Sequence, residues 1–141
     1  MGVIRQFNRI LGERMAASGR MAMIEVVGRR SGRRLRTPVG YVANDDGSVW
    51  LGAGRAEAQW ARNLLATPAC RVRIGVDERG CEARQLTGEE RTRAIAAIHA
   101  KYGAPAARVG TGPVFELRPA AERGNEAIDD AATREDAGAA A

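Results

Sequence analysis

Asn44-Asp45-Asp46-Gly47 separates two short apolar runs, residues 37–43 and 48–53, and this spacing constrains the fold more than any other feature. Asn, Asp and Gly accept the positive-φ backbone of a tight turn, so the runs they join are predicted to be neighbouring antiparallel strands. The device recurs. Gly28-Arg29-Arg30-Ser31-Gly32-Arg33 links residues 21–27 to 37–43, and Asp77-Glu78-Arg79-Gly80 links 70–76 to 81–86. With a last short strand over 113–117, the chain reads as six strands. Only two strand–helix–strand crossovers are available, too few for a doubly wound parallel sheet. The predicted class is α+β, a mainly antiparallel six-stranded sheet closed into a small barrel with about three inserted helices.

The first helix is expected over residues 3–17, where Ile4, Phe7, Leu11 and Met15 recur at helical spacing between arginines. The second covers 57–66 and is stopped by Thr67-Pro68. The third opens at Thr87-Gly88-Glu89-Glu90, a capping-box sequence, and runs to about Lys101. From residue 119 onward Ala, Glu, Asp and Gly dominate, so one domain over 1–118 and a disordered tail over 119–141 are expected.

Charge is distributed unevenly. Only Lys101 among the 22 basic residues is lysine; residues 1–36 hold nine arginines against Glu13 and Glu25, a net of +7. Residues 37–141 hold 13 basic and 15 acidic residues, a net of −2, so an anionic partner should meet the N-terminal half. No run approaches the roughly 20 apolar residues of a membrane span, and no signal-peptide pattern opens the chain, so a cytoplasmic location is expected. The N-terminal stripe reads as packing on the barrel or a second subunit, or as a peripheral contact with an anionic membrane.

Searches for nucleophiles and metal ligands return little. His99 is the single histidine and has no Cys or acidic partner at ligand spacing, so no metal is expected. A regular hairpin turning at 77–80 would pair Val76 with Cys81 and leave Cys70 remote, so no disulfide is expected either.

Two stretches carry candidate chemistry. The turn at 28–33 surrounds glycine-flexible backbone with forked cationic donors suited to phosphate or carboxylate; it reads equally as a solvated arginine-rich loop. Beyond Gly54 and Arg55, Trp60 and Asn63 lie three apart on one helix, beside Leu64. An aromatic plane and an amide there could bracket a planar heterocycle, or simply belong to the core. Tyr102, at the end of the third helix, is a candidate proton donor or a packing residue.

Taken in order, Val26-Val27-Gly28-Arg29-Arg30-Ser31-Gly32, Arg36-Thr37-Pro38-Val39-Gly40-Tyr41, Gly54-Arg55 and Trp60-Ala61-Arg62-Asn63-Leu64-Leu65-Ala66-Thr67-Pro68 resemble the nitroreductase-like deazaflavin-dependent oxidoreductases. The resemblance spans roughly residues 3–118. It implies a split β-barrel of the FMN-binding type and coenzyme F420, a deazaflavin with a phosphate and an oligoglutamate tail. It assigns Arg29, Arg30 and Ser31, with Arg36 in a position shared with Arg34, to the anionic part of the cofactor. Thr37, Pro38 and Val39 would line the adjacent strand, Gly54 and Arg55 the next loop, and Trp60, Asn63 and Leu64 the helix. Tyr102 would meet the substrate. The implied reaction is hydride transfer from reduced F420 to a quinone, nitro compound or similar small acceptor, the catalytic residues being unassigned.

Other occupants of the same fold stay open: FMN, haem or a fatty acid. A basic RNA-binding module is a further alternative, disfavoured because aromatics make up only 4% of the chain, and no nucleic acid is expected. Split barrels commonly pair, which leaves room for a homodimer.

Overall fold

The computed structural model describes residues 19–120. The helix expected over 3–17 and nearly all of the expected tail lie outside the described residues. Seven strands form one antiparallel sheet: β1 (Ala22–Val27), β2 (Arg34–Val39), β3 (Tyr41–Ala43), β4 (Val49–Gly52), β5 (Ala69–Ile74), β6 (Asp77–Gln85) and β7 (Val114–Pro119). Helix α1 (Gln59–Ala66) lies between β4 and β5; α2 (Gly88–Tyr102) and a 3₁₀ turn (Ala104–Ala106) lie between β6 and β7.

The strand order is β2-β1-β5-β6-β7-β4-β3. Strands β2 and β3 stand at opposite ends of that order, yet only Gly40 separates them in sequence. The sheet must therefore curl until its two ends meet, giving a half-barrel. The run expected to be one strand over 37–43 is two strands, which corrects the count from six to seven.

Strand alternation sorts the two faces. Ile24 and Val26 of β1, Val72 of β5, Leu51 of β4 and Phe115 and Leu117 of β7 form the inner core, capped by Ala61 and Leu64 of α1. Burying each large aliphatic chain contributes about 1.5–3 kcal/mol. On the outer face α2 packs against β3, β4 and β7, where Ala94 joins Leu86 and Val114 beside Trp50 and Ile95. Elsewhere that face carries ionic clusters: Glu25, only 7% exposed, lies between Arg34 and Arg36, and buried Glu116 between Arg84 and Arg118.

Two further expectations are corrected. The β5–β6 turn is made by Gly75 and Val76, because Ile74 pairs with Asp77. Gly75 adopts a φ of +62°, a conformation glycine reaches without a side-chain penalty. The register then sets Cys70 directly opposite Cys81, both buried and both free thiols. The capping box does not form, since Thr87 makes no side-chain cap. Glu90, which would reach back to complete it, is instead drawn to Arg84 at 2.7 Å.

Candidate functional site

The turn between β1 and β2 folds on itself. The Gly28 amide donates to Arg33 O at 2.7 Å and the Gly32 amide to Gly28 O at 2.8 Å. Gly32 takes a φ of +71°. A Cβ on Gly28 would stand 2.6 Å from Ser31 Oγ, so the bare glycine admits the hydroxyl beneath the turn. There Ser31 Oγ accepts the Arg33 amide at 3.1 Å, which leaves its proton for another acceptor.

Helix α1 presents Gln59 and Asn63, one turn apart, to this loop. Asn63 is 4% exposed. Its Oδ1 accepts the Arg29 amide at 3.1 Å and the Arg29 guanidinium at 2.7 Å. Gln59 Oε1 accepts the other Arg29 terminal nitrogen at 2.8 Å. Both partners are neutral amides, so Arg29 is fixed in place without losing its charge. Arg30 has no hydrogen bond or ion pair among the described residues. The loop and helix enclose a cavity of about 230 Å³ lined by Gly28, Arg29, Arg30, Ser31, Leu35, Gln59 and Asn63. Two uncompensated cations, a hydroxyl and an amide around a concave space form a donor set for a multiply charged anion.

Other expected site residues lie elsewhere. Arg36 lies on the outer face, where its Nε donates to Glu25 Oε2 at 2.9 Å, and Arg34 binds the other carboxylate oxygen. Burial alone would raise the Glu25 carboxyl; hydrogen bonds and charge from Arg36 and Arg34 outweigh it and hold the group below the usual carboxylate range. Thr37 and Val39 lie on the core side of β2, opposite Ile24 and Ala22, while Pro38 lies on the outer side opposite Met23. Leu64 is buried in the core, and Trp60 packs against Phe115 with ring centroids 5.8 Å apart. Only Asn63 of the three α1 candidates reaches the cavity.

Gly54 and Arg55 do not line this cavity. Thr111 Oγ1 donates to Gly54 O at 2.7 Å, and Arg55 lies 3.8 Å from Glu57. Beside them a cavity of about 440 Å³ is lined by Ala56, Thr87, Thr111 and Arg91 among others. Arg91 is occupied there by Gly110 O and Gly112 O. Tyr102 closes the sheet ends: its hydroxyl accepts the Tyr41 amide at 3.0 Å and donates to Arg20 O at 2.7 Å. Burial pushes its pKa up. Arg20 and Gly28 flank β1, whose six residues span about 20 Å, so Tyr102 and the arginine turn attach near opposite ends of that strand. His99 Nε2 is 3.0 Å from Val109 O.

Gln59 and Leu35 line the cavity and were not anticipated. Gln59 carried a signal, since it stands four residues before Asn63 and therefore on the same helical face.

A half-barrel with a cationic cavity between its first hairpin and α1 has the donors that an anionic ligand would require. The model of the F420H(2)-dependent quinone reductase family matches residues 2–115, and the chain belongs to that family. It is accordingly an oxidoreductase that uses the deazaflavin coenzyme F420. Solved structures show the same fold. An F420-H2 dependent reductase is 22% identical, with a TM-score of 0.60 over 70% of this chain and 94% of that one. A domain-swapped dimer, also 22% identical, matches with a TM-score of 0.61 over 82% and 96%. HutZ, the haem storage protein from Vibrio cholerae, is 16% identical with a TM-score of 0.59 over 77% and 87%. No match was found among curated proteins.

Proposed function

We propose that the cavity between the β1–β2 turn and α1 holds the anionic part of reduced coenzyme F420, and that the enzyme reduces a quinone or a similar small acceptor such as a nitro compound. The observation that carries the residue assignment is the contrast among the arginines. Arg34 and Arg36 share the Glu25 carboxylate, whereas Arg29 is anchored only by neutral amides and Arg30 has no partner among the described residues. Charge held in place but not neutralised is what a phosphate or oligoglutamate ligand requires.

In this reading Asn63 and Gln59 orient Arg29, whose fork faces the cavity already ordered. Arg30 and the Ser31 hydroxyl supply further donors, and Leu35 gives an apolar wall. The bound cofactor supplies the hydride; these residues fix where it is presented. Gly54, Arg55 and Trp60 remain candidate contacts for the parts of the cofactor beyond this cavity, and Tyr102 for the acceptor side. The domain would comprise residues 1–118 as a split barrel. A homodimer is proposed as well, supported by the domain-swapped dimer among its structural neighbours. The enzyme would work in the cytoplasm, with at most a peripheral membrane contact through its N-terminal segment.

The test is oxidation of F420H2 followed by its absorbance, with a soluble naphthoquinone and a nitroaromatic as separate acceptors. Quinone-dependent turnover that falls at least tenfold in Arg30→Ala supports the reading. Turnover unaffected by Arg30→Ala moves the anion site elsewhere.

A further inference from the structure

A second cavity adjoins the segment that leads into α1. Its volume is about 440 Å³, and Ala56, Gln85, Leu86, Thr87, Arg91 and Pro113 are among the residues that line it. Sites that enclose small molecules run from about 300 to 1,000 Å³. The cofactor cavity, at about 230 Å³, falls below that range and has room for an anionic group but not for a second reactant as well. The two hollows lie close together. Ala56 lines one and Gln59 the other, and three residues of chain span at most about 11 Å. A hydride donor and its acceptor must meet, and this neighbouring space is large enough for the acceptor.

The walls indicate which acceptor. Leu86 and Pro113 offer an apolar surface to a flat ring, and Arg91 supplies a cation. Its two terminal nitrogens donate to Gly112 O, at 3.2 Å, and to Gly110 O. Both partners are neutral carbonyls, so the charge is held in place without being neutralised, as at Arg29. A guanidinium has five N–H donors, and three of those on Arg91 have no partner among the described residues. The Thr87 hydroxyl makes no helix cap, and Gln85 is exposed. No acidic residue is among the described residues that line the cavity. A fixed cation, neutral donors and an apolar wall suit a planar molecule that carries an ionised oxygen.

Tyr102, the other candidate for the acceptor side, stands eleven residues further along α2, about 16 Å away. Its hydroxyl proton is taken by Arg20 O at 2.7 Å. One small acceptor cannot touch both residues.

We propose that this second cavity receives the electron acceptor, and that Arg91 makes the enzyme prefer acidic quinones, ionised at an oxygen at neutral pH, over neutral ones. The inference rests on the quinone-reductase reading for its chemistry but involves none of the residues assigned to the cofactor.

Calorimetric titration of the full chain with 2-hydroxy-1,4-naphthoquinone and, separately, 1,4-naphthoquinone tests it. F420 is left out of the titration, so a failure of the cofactor assignment leaves the result intact. Both cysteines of the chain are buried, so neither offers a thiol for quinone addition. The expected result is one saturable site for the hydroxy compound, bound at least tenfold more tightly than its neutral parent. Arg91→Gln should erase that preference. Gln85→Glu, which leaves the Arg91 contacts with Gly110 and Gly112 in place, should erase it likewise by adding negative charge to the wall. Equal affinity of the unaltered protein for the two quinones would overturn the proposal, as would a preference that survives both substitutions. So would displacement of the hydroxy compound by an equal concentration of inorganic phosphate, which would make the cavity a general anion site. In turnover with F420H2, the ratio of kcat/KM for the hydroxy compound to that for its parent should fall about tenfold in Gln85→Glu. An unchanged ratio would overturn the cavity as the acceptor's site.

Discussion

The ring of Tyr102 lies against the bare α-carbon of Gly40: a Cβ there would stand 3.2 Å from Tyr102 Cε2. Gly40 is the single residue between β2 and β3, so this contact sits where the two ends of the curled sheet meet. The Tyr102 hydroxyl completes the junction by accepting the Tyr41 amide, and Lys101 Nζ donates to Tyr41 O at 2.8 Å while lying 3.5 Å from the Tyr41 ring centre. Tyr102→Phe leaves the Tyr41 amide without this partner and is expected to cost about 1–3 kcal/mol. Gly40→Val overfills the junction and is expected to cost a similar amount, about 1–3 kcal/mol. Urea unfolding checks both; a variant as stable as the parent would remove the junction from the account of closure.

Glu25 makes the sheet sensitive to acid. Its carboxyl titrates below its ordinary 4.5 in the folded chain because Arg36 and Arg34 outweigh the effect of burial. The depressed value means that its contribution is fully present above 4.5 and is lost as pH falls through the lower folded value. Glu25→Gln should reduce stability at neutral pH by about 1–3 kcal/mol and flatten the decline below pH 4.5. Thermal unfolding from pH 7 to pH 3 measures this. A decline as steep in the variant as in the parent would assign the acid limb to other carboxylates.

The cross-strand cysteines should be chemically silent. Burial, together with Cys81 and Glu82, pushes the Cys70 thiol far up. Burial raises Cys81 to about 11, against the opposing charges of Arg79 and Arg71. The thiolate is the reactive form, so neither residue should react with a disulfide reagent at pH 8 until the protein unfolds. Rapid labelling of the native chain would contradict the packing of β5 on β6.

Asn63 and Arg30 should separate stability from binding. Asn63→Ala removes the acceptor shared by the Arg29 amide and guanidinium. It is expected to cost about 1–3 kcal/mol in stability and to weaken F420 binding by releasing Arg29. Arg30→Ala removes a side chain with no partner among the described residues and should leave the unfolding midpoint within about 0.5 kcal/mol of the parent. Parallel denaturation curves decide between a shared and a divided role.

Much of this architecture is legible in sequence because tight-turn residues punctuate short strands. Asn44–Gly47 and the glycines of the arginine turn mark hairpins that the structure contains. The break at Gly40 is not legible, because β-forming residues continue on both sides and the need for it arises from Tyr102, 62 residues away. The β5–β6 hairpin is misread for a different reason. Asp77, Glu78 and Arg79 look like a polar turn, yet they are strand residues on a projecting hairpin exposed on both faces. In the site, the cationic turn and Asn63 are each visible as candidates. Their direct contact is not, since it depends on how α1 returns across the inner face. Trp60 and Leu64 share Asn63's helix but turn toward the core, where apolar burial outweighs a place at the cavity.

The most direct test of the central claim is titration of the purified protein with oxidised F420 and, separately, FMN, by calorimetry and Trp fluorescence, comparing the parent with Arg30→Ala. Saturable binding of F420 that Arg30→Ala weakens about tenfold or more, about 1.4 kcal/mol, with an unchanged unfolding midpoint, is the predicted result. Equal F420 binding by parent and variant, or tighter binding of FMN than of F420, would contradict it.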